Sequence, residues 1–434
     1  MTMALENPVY EDLMNGYDQN LDRSGIKGER LAKRLYELSK IGYTQIGGVR
    51  RPGLSDEEKE AKELVKQWMA EAGFSIIEDG AGNVIGRLEG KDNAAKAIAS
   101  GSHLDSVPNG GNFDGPLGVL SALEVAEAWK ETGYVPEKPY ELIIFTDEEG
   151  SRFNSGLTGS RAMAGDITEE EIQQLRDYNG ENLEQVLEHY GSSLGAFKKA
   201  KRDVSELELF VEVHIEQGKR LEQENQPVGI VSGIAGPAWL ELEFTGEAGH
   251  AGNTPMIGRK DPLVAAAEFI HGIPDFPAQV SGTSVATIGK MEVFPNGINV
   301  IPEKVVLHAD IRDIKEETRD KLLQQIKQYA EEVAGRRNVQ LAIKQNTKIM
   351  PVPIEETLKR KLEESLNGLG IKPVHIPSGA GHDAMVLGRY IPVAMLFVRS
   401  KDGISHNPKE WSSLTDCVYG IHALKDFIEN AMKD

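Results

Sequence analysis

Three apolar runs in this chain, 95–99, 140–146 and 207–213, each pass within a few residues into a histidine or a pair of acids. The first leads into Gly101-Ser-His103-Leu-Asp105-Ser-Val-Pro-Asn-Gly-Gly-Asn-Phe-Asp114-Gly-Pro-Leu-Gly118, just ahead of a helical pattern over 119–132. The second runs into Asp147-Glu148-Glu149-Gly-Ser-Arg-Phe153, and the third into His214-Ile-Glu-Gln217-Gly218. Short apolar runs bounded by turn formers read as buried strands. Strand, loop and helix repeated in this order predict a mostly parallel sheet covered by helices. In such sheets ligands bind beyond the carboxyl ends of the strands. A loop needs glycines in order to turn. It does not need His103, Asp105 and Asp114 among them.

The rest of the chain divides around a change of texture. Residues 1–25 are polar and carry turn signals, and no role is assigned to them. Leucines 31, 35 and 38 predict a helix over 27–41. Ser55-Asp-Glu-Glu58 has the form of a capping box and predicts a helix ending at Gly73. Short strands follow at 75–78 and 83–89. From about 235 the pattern becomes a strand (238–246), a helix (262–270), two strands (285–292 and 304–313), a helix (315–334) and a last strand (339–345). That βαββαβ order is a two-layer, ferredoxin-like unit. A helix (355–369), a glycine-rich loop (378–383), a strand (391–398) running on to His406, and a helix (413–432) then resume the α/β pattern. The expected fold class is α/β. It has a mixed, mostly parallel sheet domain made of 1–235 and 351–434, and an inserted ferredoxin-like α+β domain over 236–350.

Composition narrows the partners. The formal net charge is −20 and the sequence pI about 5.1. That balance lacks the basic footprint a nucleic acid requires, and it disfavours an anionic membrane surface. Cys417 is the sole cysteine, so no intrachain disulfide can form. No apolar run approaches the ~18 residues of a membrane span, and the first residues lack the apolar core of a secretory signal. The expectation is a cytoplasmic protein.

Five residues at or just beyond strand ends, His103, Asp114, Glu149, His214 and His406, have the donor types a pair of zinc-like ions requires. Any one of them alone is more simply a structural or solvated side chain. Five at equivalent places are hard to attribute to chance. Asp105, two positions after His103, can accept the other ring N–H and fix the tautomer. Glu148 beside a ligating Glu149 would be left free to move a proton. On its own, Glu148-Glu149 reads as the solvated start of a helix. His189, His308 and His375 lack a motif and are read as structural or solvated.

These motifs resemble the M20 group of dinuclear metallohydrolases. Gly-Ser-Arg-Phe153 and His214-Ile-Glu-Gln-Gly resemble its amidase/hydantoinase/carbamoylase branch rather than its peptidases. The resemblance runs over nearly the whole chain from about residue 27. It implies a catalytic α/β domain, an inserted lid domain that mediates homodimerisation, and two divalent ions per subunit, zinc or else manganese, cobalt or nickel. It also implies that His103, Asp114 and His214 hold one ion and Asp114, Glu149 and His406 the other, with Glu148 as general base. His250, in Glu247-Ala-Gly-His-Ala-Gly, resembles a lobe histidine that polarises the scissile carbonyl. Asn299 and Arg312 resemble residues that hold a substrate carboxylate, and a guanidinium fork matches that group bidentately. Gln217 and Gly381, the latter in the 378–382 loop, are further candidates at the rim.

The resemblance implies hydrolysis of the ureido C–N bond of an N-carbamoyl-L-amino acid, releasing amino acid, CO2 and ammonia. Allantoate fits the same description. An aminoacylase or dipeptidase is disfavoured by Arg152-Phe153 and the His214 motif. A non-catalytic scaffold would have no need of Glu148.

Overall fold

A computed structural model describes residues 9–433, so residues 1–8 of the polar N-terminal stretch lie outside the described residues. The described part of that stretch holds a short helix, Val9–Met14, and a 3-10 turn, Gln19–Leu21. The strands in chain order are β1 (Ser75–Glu78), β2 (Val84–Leu88), β3 (Ala97–His103), β4 (Tyr140–Phe145), β5 (Leu207–Ile215), β6 (Val228–Ile234), β7 (Gly236–Thr245) and β8 (Gly249–His250). They continue as β9 (Val285–Phe294), β10 (Val300–Ile301), β11 (Lys304–Asp313), β12 (Gln340–Lys348), β13 (Val352–Pro353), β14 (His375–Ser378) and β15 (Val393–Val398).

The chain forms two compact units. One comprises the residues up to Val231, then Ile354–Ile376 and everything from His382 on. The other comprises Ser232–Pro353 and Pro377–Gly381.

The first unit is built on the order β1-β2-β4-β3-β5-β15-β6. At its centre β4, β3, β5 and β15 are mutually parallel, while β1, β2 and β6 pair antiparallel. The sheet is therefore α/β, mixed and mostly parallel, as the apolar runs predict. All residues of β3, β4 and β15 are buried. That is the pattern of strands covered on both faces. The covering helix Pro116–Thr132 is buried from Pro116 to Trp129, so its sequence reads apolar nearly all round. Gly101 sits in mid-strand because a Cβ there would lie 1.8 Å from the Ile143 carbonyl oxygen of the neighbouring strand.

Two local expectations are corrected. Ser55 does cap the helix Asp56–Ala72, accepting from the Glu58 N–H, but the reciprocal half of the capping box is not made. Glu58 is fully buried. It accepts instead from the Leu54 N–H at 2.7 Å and pairs with buried Lys62 at 2.8 Å. A buried ammonium demands a carboxylate, and the Ser55 N–H bonds the Pro52 carbonyl at 3.1 Å instead. The second correction is β6, which the sequence reading passed over. Glycines 229 and 233 interrupt its apolar pattern.

The second unit carries a four-stranded, fully antiparallel sheet in the order β12-β7-β11-β9. Helices Pro262–Gly272 and Glu316–Arg337 cover one face, the ferredoxin-like arrangement. Strand β7 alternates buried and less buried residues, putting Ala238, Leu240, Leu242 and Phe244 into the core with Phe269, Leu307 and Ile326. Each such side chain contributes roughly 1.5–3 kcal/mol by leaving water. Asp261 caps the first helix through the Leu263 and Val264 N–H groups, with Pro262 at its first position. Among the described residues no helix is long and apolar enough to cross a membrane.

Candidate active site

Parallel neighbours bring their carboxyl ends together, and here that places the polar loops after β3, β4, β5 and β15 side by side. His103 is the last residue of β3 and His214 the eighth of β5. Asp114 stands just before the helix that follows β3. Gly115 makes that position possible. Its φ is +84°, and a Cβ would come within 2.5 Å of the His103 ring.

Asp114 is the centre. Its Oδ1 lies 3.5 Å from His103 Nε2 and 3.1 Å from His214 Nε2. Its Oδ2 lies 3.5 Å from His406 Nε2, which is in turn 3.3 Å from Glu149 Oε2. Among the described residues the potential cation ligands form two triads, His103–Asp114–His214 and Asp114–Glu149–His406. Within each, the donor atoms lie within 4.8 Å of one another. The first triad is wholly buried, whereas the second opens to solvent at His406.

The ring orientations suit ligation. His103 Nδ1 is 3.1 Å from the Asp105 carbonyl, and His214 Nδ1 is 2.9 Å from the Ile215 carbonyl. A carbonyl only accepts, so each Nδ1 carries a proton, and Nε2 is the ring atom turned to Asp114. His103 Nε2 is buried with no hydrogen-bond partner among the described residues. A buried ring nitrogen with no hydrogen-bond partner, facing a carboxylate and a second imidazole, fits a divalent cation.

Asp105 does more than the sequence reading foresees. Its carboxylate, 3.4 Å from His103 Nδ1, also accepts the backbone N–H groups of Glu148 (3.1 Å) and Glu149 (3.2 Å). The chain does not enter a helix there. Asp147 has φ +53° and turns the backbone, so Glu148 and Glu149 are not a solvated helix start. Such a conformation in a non-glycine residue costs on the order of 1–3 kcal/mol. It is held by burial and by the Thr158 hydroxyl, which donates to Asp147 at 2.6 Å. His406 (φ +54°) and Gln217 (φ +55°) share the left-handed conformation.

Electrostatics follow from many acids in little space. Burial opposes a charged His103, yet Glu148, Asp105 and Asp114 outweigh it and raise the ring's pKa well above the ordinary value. Burial, then the Glu149, Asp383 and Asp105 carboxylates, push Glu148 well up against the pull of His103. Burial and Asp114 push Glu149 up to about 8. The hydrogen bond to Asp114 raises His406 to about 9. Burial opposes the Asp114 charge, but His214, His103 and His406 hold that carboxyl well below its usual range. The site retains protons where a cation's charge would otherwise balance the acids.

Glu148 belongs to neither triad. Its Oε2 lies 3.7 Å from His103 Nε2, within reach of the first triad. Gln217 is not at a rim. Its Nε2 donates to Asp114 Oδ2 at 2.8 Å and lies 3.4 Å from His406 Nε2. His382 is buried with its ring 4.5 Å from that of His214. Arg152 donates to the Gly53 and Leu54 carbonyls and faces Asp177 at 3.4 Å, so it ties loops together.

The remaining candidates lie on the second unit. His250, in β8, pairs with Val300 of β10, and the Ala251 N–H bonds the Asn299 carbonyl at 2.9 Å. His250 Nδ1 accepts the Gly252 N–H at 3.1 Å, so in the neutral ring the proton is on Nε2. His250 and Asn299 are both exposed. Arg312 is half-buried, its Nε and Nη2 forked onto the Asp310 carboxylate at 2.9 and 2.7 Å, and its Nη1 donates to the Gly379 carbonyl at 2.6 Å. Gly381 is exposed and close by in the chain.

Sequence reasoning missed Ser405 and Glu410. Ser405 donates to Asp114 Oδ2 at 2.7 Å, and Glu410 accepts the N–H groups of Phe113 and Asp114. The available signal was His406-Asn-Pro-Lys-Glu410, an acid one helical turn beyond a candidate ligand.

A parallel-sheet scaffold with two carboxylate–imidazole triads sharing one aspartate, and a glutamate beside them that belongs to neither, defines a metallohydrolase site. Residues 99–430 match the model of peptidase family M20/M25/M40, and the chain belongs to that family. It is 46% identical over 399 residues to an N-carbamoyl-L-amino acid amidohydrolase of Geobacillus stearothermophilus, covering 92% of this chain and 97% of the relative. It is 37% identical over 391 residues to an allantoate amidohydrolase of Bacillus subtilis (90% and 94%). A crystal structure of an amidase of the hydantoinase/carbamoylase family from Burkholderia multivorans superposes with a TM-score of 0.87 at 33% identity, covering 94% of this chain and 99% of that one.

Proposed function

We propose that the protein is a metal-dependent amidohydrolase that cleaves the ureido C–N bond of N-carbamoyl-L-amino acids. The observation that carries this reading is Asp114, whose two oxygens face separate triads with Glu148 alongside. Relatives named N-carbamoyl-L-amino-acid amidohydrolase, at 46% and 42% identity, support the substrate class.

His103, Asp114 and His214 would hold one divalent ion and Asp114, Glu149 and His406 the other. Histidine and carboxylate donors suit zinc, and also manganese, cobalt or nickel. Ions so held supply Lewis-acid polarisation of the ureido carbonyl and lower the pKa of water. Glu148, outside both triads and with its Oε2 3.7 Å from His103 Nε2, accepts the water's proton and passes it to the departing nitrogen. The ureido acid and one water thus yield the amino acid, CO2 and ammonia. Arg312 and Asn299 bind the substrate carboxylate, and His250 polarises the carbonyl through its Nε2. Gln217 orients substrate beside Asp114, and Gly381 gives the backbone close approach.

In this reading, 1–235 with 351–434 form the catalytic domain, and 236–350 form a lid and the contact of a cytoplasmic homodimer. The edge strand β9, with Val285, Met291 and Phe294 exposed, offers a surface for that contact.

Allantoate is the second reading, favoured by the Bacillus subtilis relative. Metal-loaded protein assayed on N-carbamoyl-L-methionine and on allantoate separates the two. Ammonia from neither substrate would overturn both.

A further inference from the structure

We infer that Glu410 is a positioning residue that straps the shared carboxylate of Asp114 to the segment carrying His406, and so sets the affinity of the Asp114–Glu149–His406 seat. This rests on the reading of the two triads as metal seats. Glu410 is 3% exposed. Its Oε1 accepts two consecutive backbone N–H groups, Phe113 at 2.9 Å and Asp114 at 3.1 Å. Its Oε2 accepts the Ser405 hydroxyl at 2.9 Å, and that hydroxyl also lies 2.7 Å from Asp114 Oδ2.

A hydroxyl carries one proton and can serve only one of these carboxylates at a time. A cation held by Asp114, Glu149 and His406 would compete with the Ser405 hydroxyl for the Asp114 carboxylate and leave that proton to Glu410. The strap would then tighten as the seat fills. The fit is close. A Cβ at Gly111 would lie 2.1 Å from Glu410 Oε1, so the carboxylate rests directly on the 111–114 backbone. Next to it, Trp411 meets Phe113 edge-on at 5.4 Å between ring centres.

A carboxyl group buried against main-chain N–H groups is a costly way to tie two loops. Two main-chain N–H bonds and one hydroxyl bond to a single carboxyl group suit a residue that must hold a ligand against a cation's pull. Asp114 serves both triads, and a shift of its backbone misplaces an oxygen in each. The seat next to the strap, with His406 only four residues from Glu410, feels the loss first.

The test uses full-length protein stripped by chelation and titrated with Zn2+ against a chromophoric chelator. Wild type should bind two ions. Glu410→Ala should weaken the second ion by roughly 10- to 100-fold, the usual cost of losing a residue that orients ligands. Glu410→Gln, which keeps one acceptor oxygen, should fall between. Ser405→Ala, with the backbone anchors intact, should weaken the second ion only. On N-carbamoyl-L-methionine the Glu410 variants should lose kcat with KM unchanged, because Glu410 does not touch substrate.

Folded Glu410→Ala with wild-type constants for both ions would overturn the inference. So would equal weakening of both ions with Glu410→Gln no better than Ala, the mark of a plain structural prop. If Glu410→Ala does not fold, wild-type binding in both Glu410→Gln and Ser405→Ala overturns it. A wild-type protein that binds no ion would instead overturn the metal reading itself.

Discussion

The Asp105 carboxylate accepts the backbone N–H of Glu149 at 3.2 Å, so the residue that orients His103 also fixes the stretch bearing the proposed base. One side chain thus governs a member of each triad. Asp105→Ala should cost roughly 10- to 100-fold in metal affinity and at least as much in activity. Asp105→Asn, with one oxygen acceptor left, should be milder. Chelator competition with both variants checks this, and unchanged affinity in Asp105→Ala would remove the assigned role.

Glu148→Gln preserves shape and removes the proton acceptor. It should bind both ions as wild type does and lose roughly 10²- to 10⁴-fold in kcat. Metal analysis and steady-state rates on one preparation suffice. Loss of an ion would make Glu148 a ligand instead.

The raised groups give a pH dependence with a defined sign. Glu149 (about 8) and His406 (about 9) bind protons more tightly in the metal-free fold than in the unfolded chain. Their contribution to stability is therefore present below the unfolded values and is lost as pH rises through about 8 and 9. Metal-free protein should melt at lower temperature at pH about 9 than at neutral pH. Ion binding must displace the same protons, so it should release protons at neutral pH and strengthen as pH rises toward about 9. Calorimetry in buffers of different ionisation enthalpy measures the release. No dependence on buffer would contradict this account.

Arg312 is pre-oriented by its fork onto Asp310. Losing a charge-assisted bond costs about 1.5–3 kcal/mol, so Arg312→Ala should raise KM by roughly 10- to 100-fold with a smaller change in kcat. Arg312→Lys should recover little, because an ammonium cannot span two acceptors. Saturation curves on N-carbamoyl-L-methionine decide it, and an unaltered KM would take Arg312 out of substrate binding.

The part of the site that was legible in the sequence is the part whose chemistry needs particular side chains at strand ends. His103, Asp114, Glu149, His214 and His406 could be found because apolar runs point at them. Glu410 could not, since its work is done on main-chain N–H groups of residues 113 and 114, which no pattern of side chains records. The turn at Asp147 was equally hidden. Acids after a strand favour a helix start, and only the Thr158 hydroxyl and the Asp105 carboxylate, distant in sequence or contributed by another loop, hold the alternative. In the fold, the βαββαβ alternation was plain because one face of that sheet is covered and the other is not. The strand β6 was not, because its glycines dilute the pattern that marks a strand.

The last strand of the main sheet, β15, lies between β5 and β6, both made long before it. A chain growing from its N terminus therefore carries two unsatisfied strand edges until residues 393–398 emerge, and such edges invite pairing with other chains. His406 follows β15 by eight residues, so the catalytic apparatus is assembled by the same event that closes the sheet. Substitutions that slow the docking of residues 393–398 between β5 and β6 are therefore a place to look for variants that express poorly though their finished fold is sound.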